Sequence, residues 1–307
     1  MKLRQLNYFV KIVEAQNMTR AAEGLHIAQP ALSQQVTLLE QELGVKLLNR
    51  SSRGIFATDE GELLYRHAKT ILRQVDNTRT LLSKKDGVVT GNVSVGMASS
   101  TAKILALRLM KMVRERYPSI VVEIVDVPSA DLTSLVMHGR VDFSLVPDPQ
   151  KPKGMTFVPV LLEELYLMTH PAVRLPSGPA SLEDMASLPL ILPSLPNTLR
   201  SRVEHAFLQA HLTYNLFGEA STSAILLPAV KAGLAATILP YSAGHEEIQR
   251  KEVVMHSIKI GLSREMCLCT SDTLPVSAAT TTVIGLCRVA LRELVETKIW
   301  RGGRLLY

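Results

Sequence analysis

The sequence predicts an all-α N-terminal segment closed by a short β-hairpin, then one long helix, then a C-terminal α/β domain. Three observations predict it. Apolar residues recur at helical spacing up to residue 43 and alternate in strand fashion from residue 91 onward. Between these regions, apolar positions from Leu64 to Leu82 are spaced by four and three. The chain has 307 residues, is 47% hydrophobic and has a mean hydropathy of +0.16, which is enough for more than one core and too apolar for disorder. No stretch approaches the roughly 20 uninterrupted apolar residues that span a bilayer, so no membrane is expected as a partner.

Leu3, Leu6, Phe9, Val10 and Val13 place a helix over Leu3 to Ala15, with Tyr8 and Lys11 near its polar side. Thr19 stands directly before Ala21, Ala22 and Leu25 as the N-cap of a second helix ending near His26, and is itself a candidate DNA-binding residue. A third helix begins at Gln29 and Pro30 and runs through Ala31, Leu32, Val36, Leu39 and Leu43 to a C-terminal Gly44. Two short helices joined by a tight turn, the second entered at a proline, make a helix-turn-helix. With Ala31, Leu32, Val36 and Leu39 inward, the same period turns Gln29, Pro30, Ser33, Gln34 and Thr37 outward. Gln bonds adenine bidentately, Ser donates or accepts, and Pro touches a thymine methyl, so this face suits the major groove of double-stranded DNA. An ordinary solvated helix face reads the same way. From Leu47 to Thr58, two short apolar runs flank a basic, Gly-containing turn, which reads as a hairpin wing. On it, Arg50 and Arg53 would meet phosphates or the minor groove, completing a winged helix-turn-helix over residues 1–58.

Thr58 caps the next helix, with Asp59, Glu60 and Glu62 in its first turn. Helical character runs to Lys84 and Lys85 and stops at Gly87, giving a linker over residues 59–89. Leu64, Ala68, Ile71, Val75, Thr78 and Leu82 form a heptad seam in which Thr78 is the one polar position. The small wing domain is expected to be too short to cover about 40 Å of helix, at 1.5 Å per residue. The seam is therefore expected to pair with a second copy.

Beyond it, Gly91 to Met97, Ile120 to Val127, Val141 to Val146, Leu188 to Leu192, Tyr214 to Glu219 and Leu234 to Leu239 read as strands. Helices are expected around Leu105 to Val113, Asn197 to Ala210, Thr222 to Lys231 and Ser277 to Thr297, an α/β beat that implies parallel strands. Ligands of such sheets sit beyond the carboxyl ends of the strands. Ser99, Ser100 and Thr101 lie there, as do Ser194, Asn197 and Thr198, and Ser221 and Thr222 open another helix. They offer hydroxyls and free backbone N–H groups to an anion, and they suit plain N-caps equally. No member of the set is an Arg or Lys poised for a carboxylate.

Residues 1–90 hold 13 Lys and Arg against 9 Asp and Glu, most of the net charge of +6, which points the N-terminal part toward an anionic partner. Lys11 and Glu14 interrupt what would be the apolar core of a signal peptide, so a cytoplasmic location is expected. Cys267, Cys269 and Cys287 suit reduced thiols buried as apolar residues, with a redox switch as the alternative, and make no four-ligand metal shell. No H-E-x-x-H, G-x-S-x-G, P-loop or G-x-G-x-x-G is present, and His67, His138 and His205 read as surface residues. Neither an enzyme, a cofactor nor a metal is expected.

The string AAEGLHIAQPALSQQVTLLEQELGVKLLNRSSRGIFATDEG, Ala21 to Gly61, resembles the DNA-binding signature of the LysR-type transcriptional regulators nearly position for position. YFVKIVE, LHIAQPALSQQ, ILRQ, LPS, LRSRVEHAF and ILP resemble the nitrogen assimilation control branch of that family. The chain departs from the family at Ala28, where Ser or Thr is common and whose absence removes a side-chain cap at a typical cost near 1 kcal/mol. It departs again at Leu48, which replaces a usual Phe, and at Ala235 and Ala236, after Gly233, where a glycine is common. The resemblance implies a C-terminal effector domain, residues 90–307, of two Rossmann-like subdomains of the type 2 periplasmic-binding-protein kind. The chain would cross between them near Leu162 and Cys267, giving subdomains of 90–162 with 267–307 and of 163–266. It further implies a homodimer, assembling into a homotetramer, on a partly symmetric operator, a small-molecule effector in the cleft, and a contact with RNA polymerase. A solute-binding protein and an effector-independent architectural DNA-binding protein are the rival readings. The first would carry a signal peptide and lack the helix-turn-helix; the second differs in whether a small molecule alters DNA binding.

Overall fold

The structure, a computed structural model, describes residues 1–51, 54–82 and 89–307, and of Asn77, Thr80, Leu81 and Leu82 the backbone alone. Arg53, the Leu82 side chain and the expected helix end from Lys84 to Gly87 lie outside the described residues. The chain divides into two compact units, Met1–Lys84 and Lys85–Tyr307.

In the first unit, α1 (Leu3–Ala15), α2 (Met18–Gly24) and α3 (Gln29–Leu43) precede a hairpin of β1 (Leu48–Ser51) and β2 (Gly54–Ala57), then α4 (Asp59–Leu82). Phe9, Ile12, Leu32, Val36, Leu39 and Leu47 are at most 1% exposed and form the core. Tyr8 joins them at 6% exposure instead of lying on the polar side, because its hydroxyl is satisfied by Arg4 Nε while the ring packs inward. The cap of α2 is Asn17, whose side chain accepts from Arg20 N at 3.0 Å; Thr19 lies exposed inside the first turn and cannot reach that donor. The helix stops at Gly24, and His26 takes a φ of +55°. Ala31 is exposed, a correction that follows from its place one residue, about 100°, off the buried stripe of Leu32, Val36 and Leu39. Ala28 opens α3 with no side-chain cap, and Gly44 ends it at φ +69°.

The first half of the α4 seam is spoken for. Ala68 is fully buried against Leu6 and Val10 of α1, and Leu64, Tyr65 and Leu72 pack beside them. The expectation that the wing domain leaves the helix uncovered is thus corrected for these turns: α1 lies along α4 and covers them. Further on, Ile71 is 37% exposed, Val75 is half-buried and Thr78 is exposed.

The second unit runs β3 (Gly91–Met97), α5 (Ser99–Arg116), β4 (Ile120–Asp126), α6 (Leu132–Met137), β5 (Phe143–Pro147), β6 (Met155–Thr169), α7 (Leu182–Ala186), β7 (Pro189–Pro193) and α8 (Thr198–Gln209). It continues with β8 (Asn215–Ala220), α9 (Ser223–Lys231), β9 (Thr237–Pro240), α10 (Tyr241–Gln249), β10 (Val254–Ser257), β11 (Ser263–Ser271), α11 (Ala278–Glu296) and β12 (Gly303–Leu305). Among the described residues the main sheet is ordered β10-β6-β11-β5-β3-β4, with β9 and β12 also paired to β6, and β7 and β8 form a second sheet. The strands are not all parallel. β3 pairs in parallel with β4 and β5, and β7 with β8, but β6 is antiparallel to β9, β10, β11 and β12. The reason is that β6 and β11 run side by side in opposite directions. One apolar core draws on residues between Leu165 and Ile258, a second on Val93 to Leu161 and Met266 to Trp300, and a smaller third packs Leu132, Val136, Val141 and Cys269. The expected crossing points, Leu162 and Cys267, lie inside β6 and β11.

Candidate functional site

On α3, Gln29, Pro30 and Gln34 are exposed, and Ser33 and Thr37 are half-buried. Thr37 Oγ1 donates to the Ser33 carbonyl at 3.0 Å, so that hydroxyl is bonded within the helix. Arg50, exposed on β1, donates from Nη1 to Ser33 Oγ at 3.2 Å, which ties the wing to the outward face of α3. The hairpin is docked from beneath as well. Ile55 N donates to the Gln16 carbonyl at 3.0 Å, and Thr58 Oγ1 donates to the Lys46 carbonyl at 2.7 Å while accepting from Gly61 N at 2.9 Å. A Cβ on Gly61 would strike the Leu47 carbonyl, so a glycine is needed for this close approach.

Glu40 went unrecognised in the sequence, although an acidic residue on the buried stripe of α3 was the available signal. It is 7% exposed; Oε1 accepts from Leu47 N at 2.8 Å and Leu48 N at 3.3 Å, and Oε2 meets Lys46 Nζ at 3.2 Å. Burial alone would raise its pKa, but the bonds from Leu47, Lys46 and Leu48 outweigh it and hold the carboxyl below the usual carboxylate range. A lowered folded pKa contributes stability that is complete above the unfolded value, near 4.3, and fades as pH falls through the folded one. Glu40→Gln is therefore expected to reduce hydrogen-exchange protection at Leu47 and Leu48 at neutral pH, with the gap to wild type closing below about pH 4. A gap independent of pH would contradict the assignment.

In the second unit, Ser99, Ser100, Asn197, Ser221 and Thr222 come together around a cavity of about 50 Å³. Ser99 Oγ donates to Asp126 Oδ1 at 2.7 Å. Asn197 caps α8, accepting from Leu199 N at 3.0 Å and Arg200 N at 3.2 Å, and its Nδ2 donates to Ser129 Oγ at 3.2 Å. Thr198 lines a separate, larger pocket of about 590 Å³ with Thr133, Met137, Pro149 and Lys151. Thr101 is fully buried and Ser194 half-buried; neither lines either pocket.

The set read from the sequence holds no Arg or Lys, but Arg264, outside that set, lines the smaller cavity at 5% exposure. Its Nε donates to Glu163 Oε2 at 2.8 Å and its Nη2 to Ser100 Oγ at 3.2 Å. Glu163, fully buried, also accepts from Ser242 Oγ at 2.5 Å and Trp300 Nε1 at 2.8 Å through Oε1. Arg264 and Glu163 are register partners across β11 and β6, two strands far apart in sequence, which is why sequence pattern did not pair them. The three cysteines are buried, and burial pushes each thiol up to about 12. Among the described residues, no group of three or more His, Cys, Asp or Glu could hold a metal, and no helix is long and apolar enough to cross a membrane.

Residues 3–62 match the family described as "Bacterial regulatory helix-turn-helix protein, lysR family", and residues 86–292 match "LysR substrate binding domain". The nitrogen assimilation regulatory protein nac of Klebsiella aerogenes is 37% identical over 244 residues, 79% of each chain. BenM, an HTH-type transcriptional regulator of Acinetobacter baylyi, is 29% identical over 79% of this chain and 81% of that one. The crystal structure of full-length CbnR complexed with its target DNA superposes with a TM-score of 0.69 at 23% identity, over 94% of this chain and 100% of that one.

Proposed function

The chain belongs to the LysR family of transcriptional regulators, with a helix-turn-helix for DNA and a C-terminal effector domain, and from that membership we propose which of its residues do the work. Gln29, Pro30, Ser33 and Gln34, with Thr37 behind them, read base edges in the major groove of double-stranded DNA. Arg50, and Arg53 beyond the described residues, anchor phosphate or enter the minor groove. The observation that carries this reading is the bond from Arg50 to Ser33, which sets the wing and the outward face of α3 as one surface.

Two copies pair along the later turns of α4, where Ile71, Val75 and Thr78 border an apolar groove of about 410 Å³, and pairs assemble into a tetramer on a partly symmetric operator. A small-molecule effector bound in the second unit modulates this binding, and the regulator meets RNA polymerase. The protein works in the cytoplasm and catalyses no reaction.

Selection from a random-sequence DNA pool tests the reading, with enrichment of an interrupted palindrome as the expected outcome; no enrichment over non-specific DNA at any effector condition would sink it. Arg50→Ala is expected to weaken binding evenly across sequences and to lower the salt slope by about one, measured by titration at several salt concentrations. A loss confined to one base position would assign Arg50 to base reading instead.

A further inference from the structure

The wing is too small to fix its own direction. Strands of four residues each make a ribbon that is marginal in water, so its aim is set by what it is tied to. Leu48 and Ile55 enter the core beneath it. The tie nearest the tip is main chain on both sides: Ile55 N donates to the Gln16 carbonyl at 3.0 Å. That carbonyl is left over by the helices around it. α1 ends at Gln16, and Arg20 N, the amide four residues on, donates to the Asn17 side chain instead. Gln16 is exposed and adopts a left-handed backbone, with φ +50°, which turns its carbonyl toward the wing. From the wing side, Gly54 takes φ +126°, and a Cβ there would stand 3.1 Å from the Gln16 carbonyl oxygen. Both residues of this contact hold backbone conformations that side chains disfavour.

Ile55 is the cross-strand partner of Arg50 and stands two residues from Arg53. One amide therefore sets the root of both arginines. The helix that supplies the carbonyl, α1, packs through Leu6 and Val10 against Ala68 of α4, so the anchor is itself held. We infer that Gln16 is a positioning residue for DNA binding: its carbonyl, presented by the left-handed turn between α1 and α2 and closely approached by a glycine at 54, aims the wing arginines at the duplex. In this role Gln16 acts through Ile55, by its backbone and not its side chain. The inference rests on the proposed DNA contacts of Arg50 and Arg53 and adds the backbone that places them.

Two replacements in the full-length protein act on the bond from opposite sides, with the preferred DNA site from the random-pool selection as the probe. Gly54→Ala adds the crowding Cβ, and Gln16→Val puts a β-branched residue where φ is positive. Each is expected to weaken binding about tenfold, to lower the salt slope by about one to two per reading head, and to remove the hydroxyl-radical protection of the sugars that the wing covers. Gln16→Gly, which favours the same backbone, is expected to retain wild-type binding. Base-position ratios read by α3 should not move. A role in stability alone predicts otherwise: affinity would fall in step with the melting temperature, and the α3 ratios would erode with it. Because the two replacements are independent, loss of fold in one leaves the other as the test.

The decisive measurement is a cycle of combined variants. With Arg50 and Arg53 both replaced by Ala, adding Gly54→Ala or Gln16→Val is expected to cost less than about twofold, since the groups that the turn aims are gone. A further loss of about tenfold in that background overturns the positioning role. If the protein lacking both arginines binds weakly while Gly54→Ala and Gln16→Val bind as wild type, the wing reading stands and the positioning role falls. If the protein lacking both arginines binds as tightly as wild type, the wing reading itself falls and takes the inference with it.

Discussion

Glu163→Ala is expected to lower the unfolding free energy of the C-terminal unit by about 3–5 kcal/mol, because it strands the partner of a buried ion pair. Glu163 is fully buried, Arg264 is 5% exposed and Trp300 1%. Removing the carboxylate leaves a guanidinium, an indole N–H and the Ser242 hydroxyl without their acceptor, and desolvated donors are expensive to orphan. Urea unfolding followed by Trp300 emission measures this unit directly. The double replacement Glu163→Leu with Arg264→Met is expected to recover most of the loss, since a buried pair exchanged whole for apolar groups is often neutral. A loss under about 1 kcal/mol for Glu163→Ala would show that water reaches the pair.

Gln34→Ala is expected to remove about 1–3 kcal/mol of discrimination at one base position per half-site while leaving folding and non-specific affinity near wild type. Gln34 is exposed on α3, so little packing is lost with its amide. Competition titrations of the preferred site against single-base variants measure it, and unchanged ratios would remove Gln34 from base reading. Ser33→Ala should behave differently. Its hydroxyl also accepts from Arg50, so both discrimination and the Arg50 contribution are expected to fall.

What could be read in the sequence was local. The α3 stripe, the hairpin and the acidic first turn of α4 follow from spacing within a dozen residues, and Gly44 marks its own helix end. Asn17 and Thr19 compete as caps two residues apart, and propensity does not choose between them; backbone direction does. Tyr8 fits either face until Arg4 is seen to satisfy it. β6 is a 15-residue strand buried along much of its length, so its run lacks the alternation that signals a strand, and it was missed together with β11. Of the small cavity in the second unit, the serines after β3 and before α9 were legible as helix openings. Arg264, Glu163 and Trp300 were not, since the register of distant strands brings them together.

The place of β11 also orders events during synthesis. It sits between β5 and β6, and the core built on β3 and α5 includes residues of β11 and α11 up to Trp300. At about 5–20 residues per second, the roughly 100 residues between β6 and β11 take on the order of 5–20 s to appear. Through that interval the facing edges of β5 and β6 lack the strand that pairs with both. The core spanning Leu165 to Ile258 is synthesised in one continuous stretch and can close first. A nascent chain stalled before Ser263 would thus expose an open sheet edge to chaperones and to neighbouring chains on the same message.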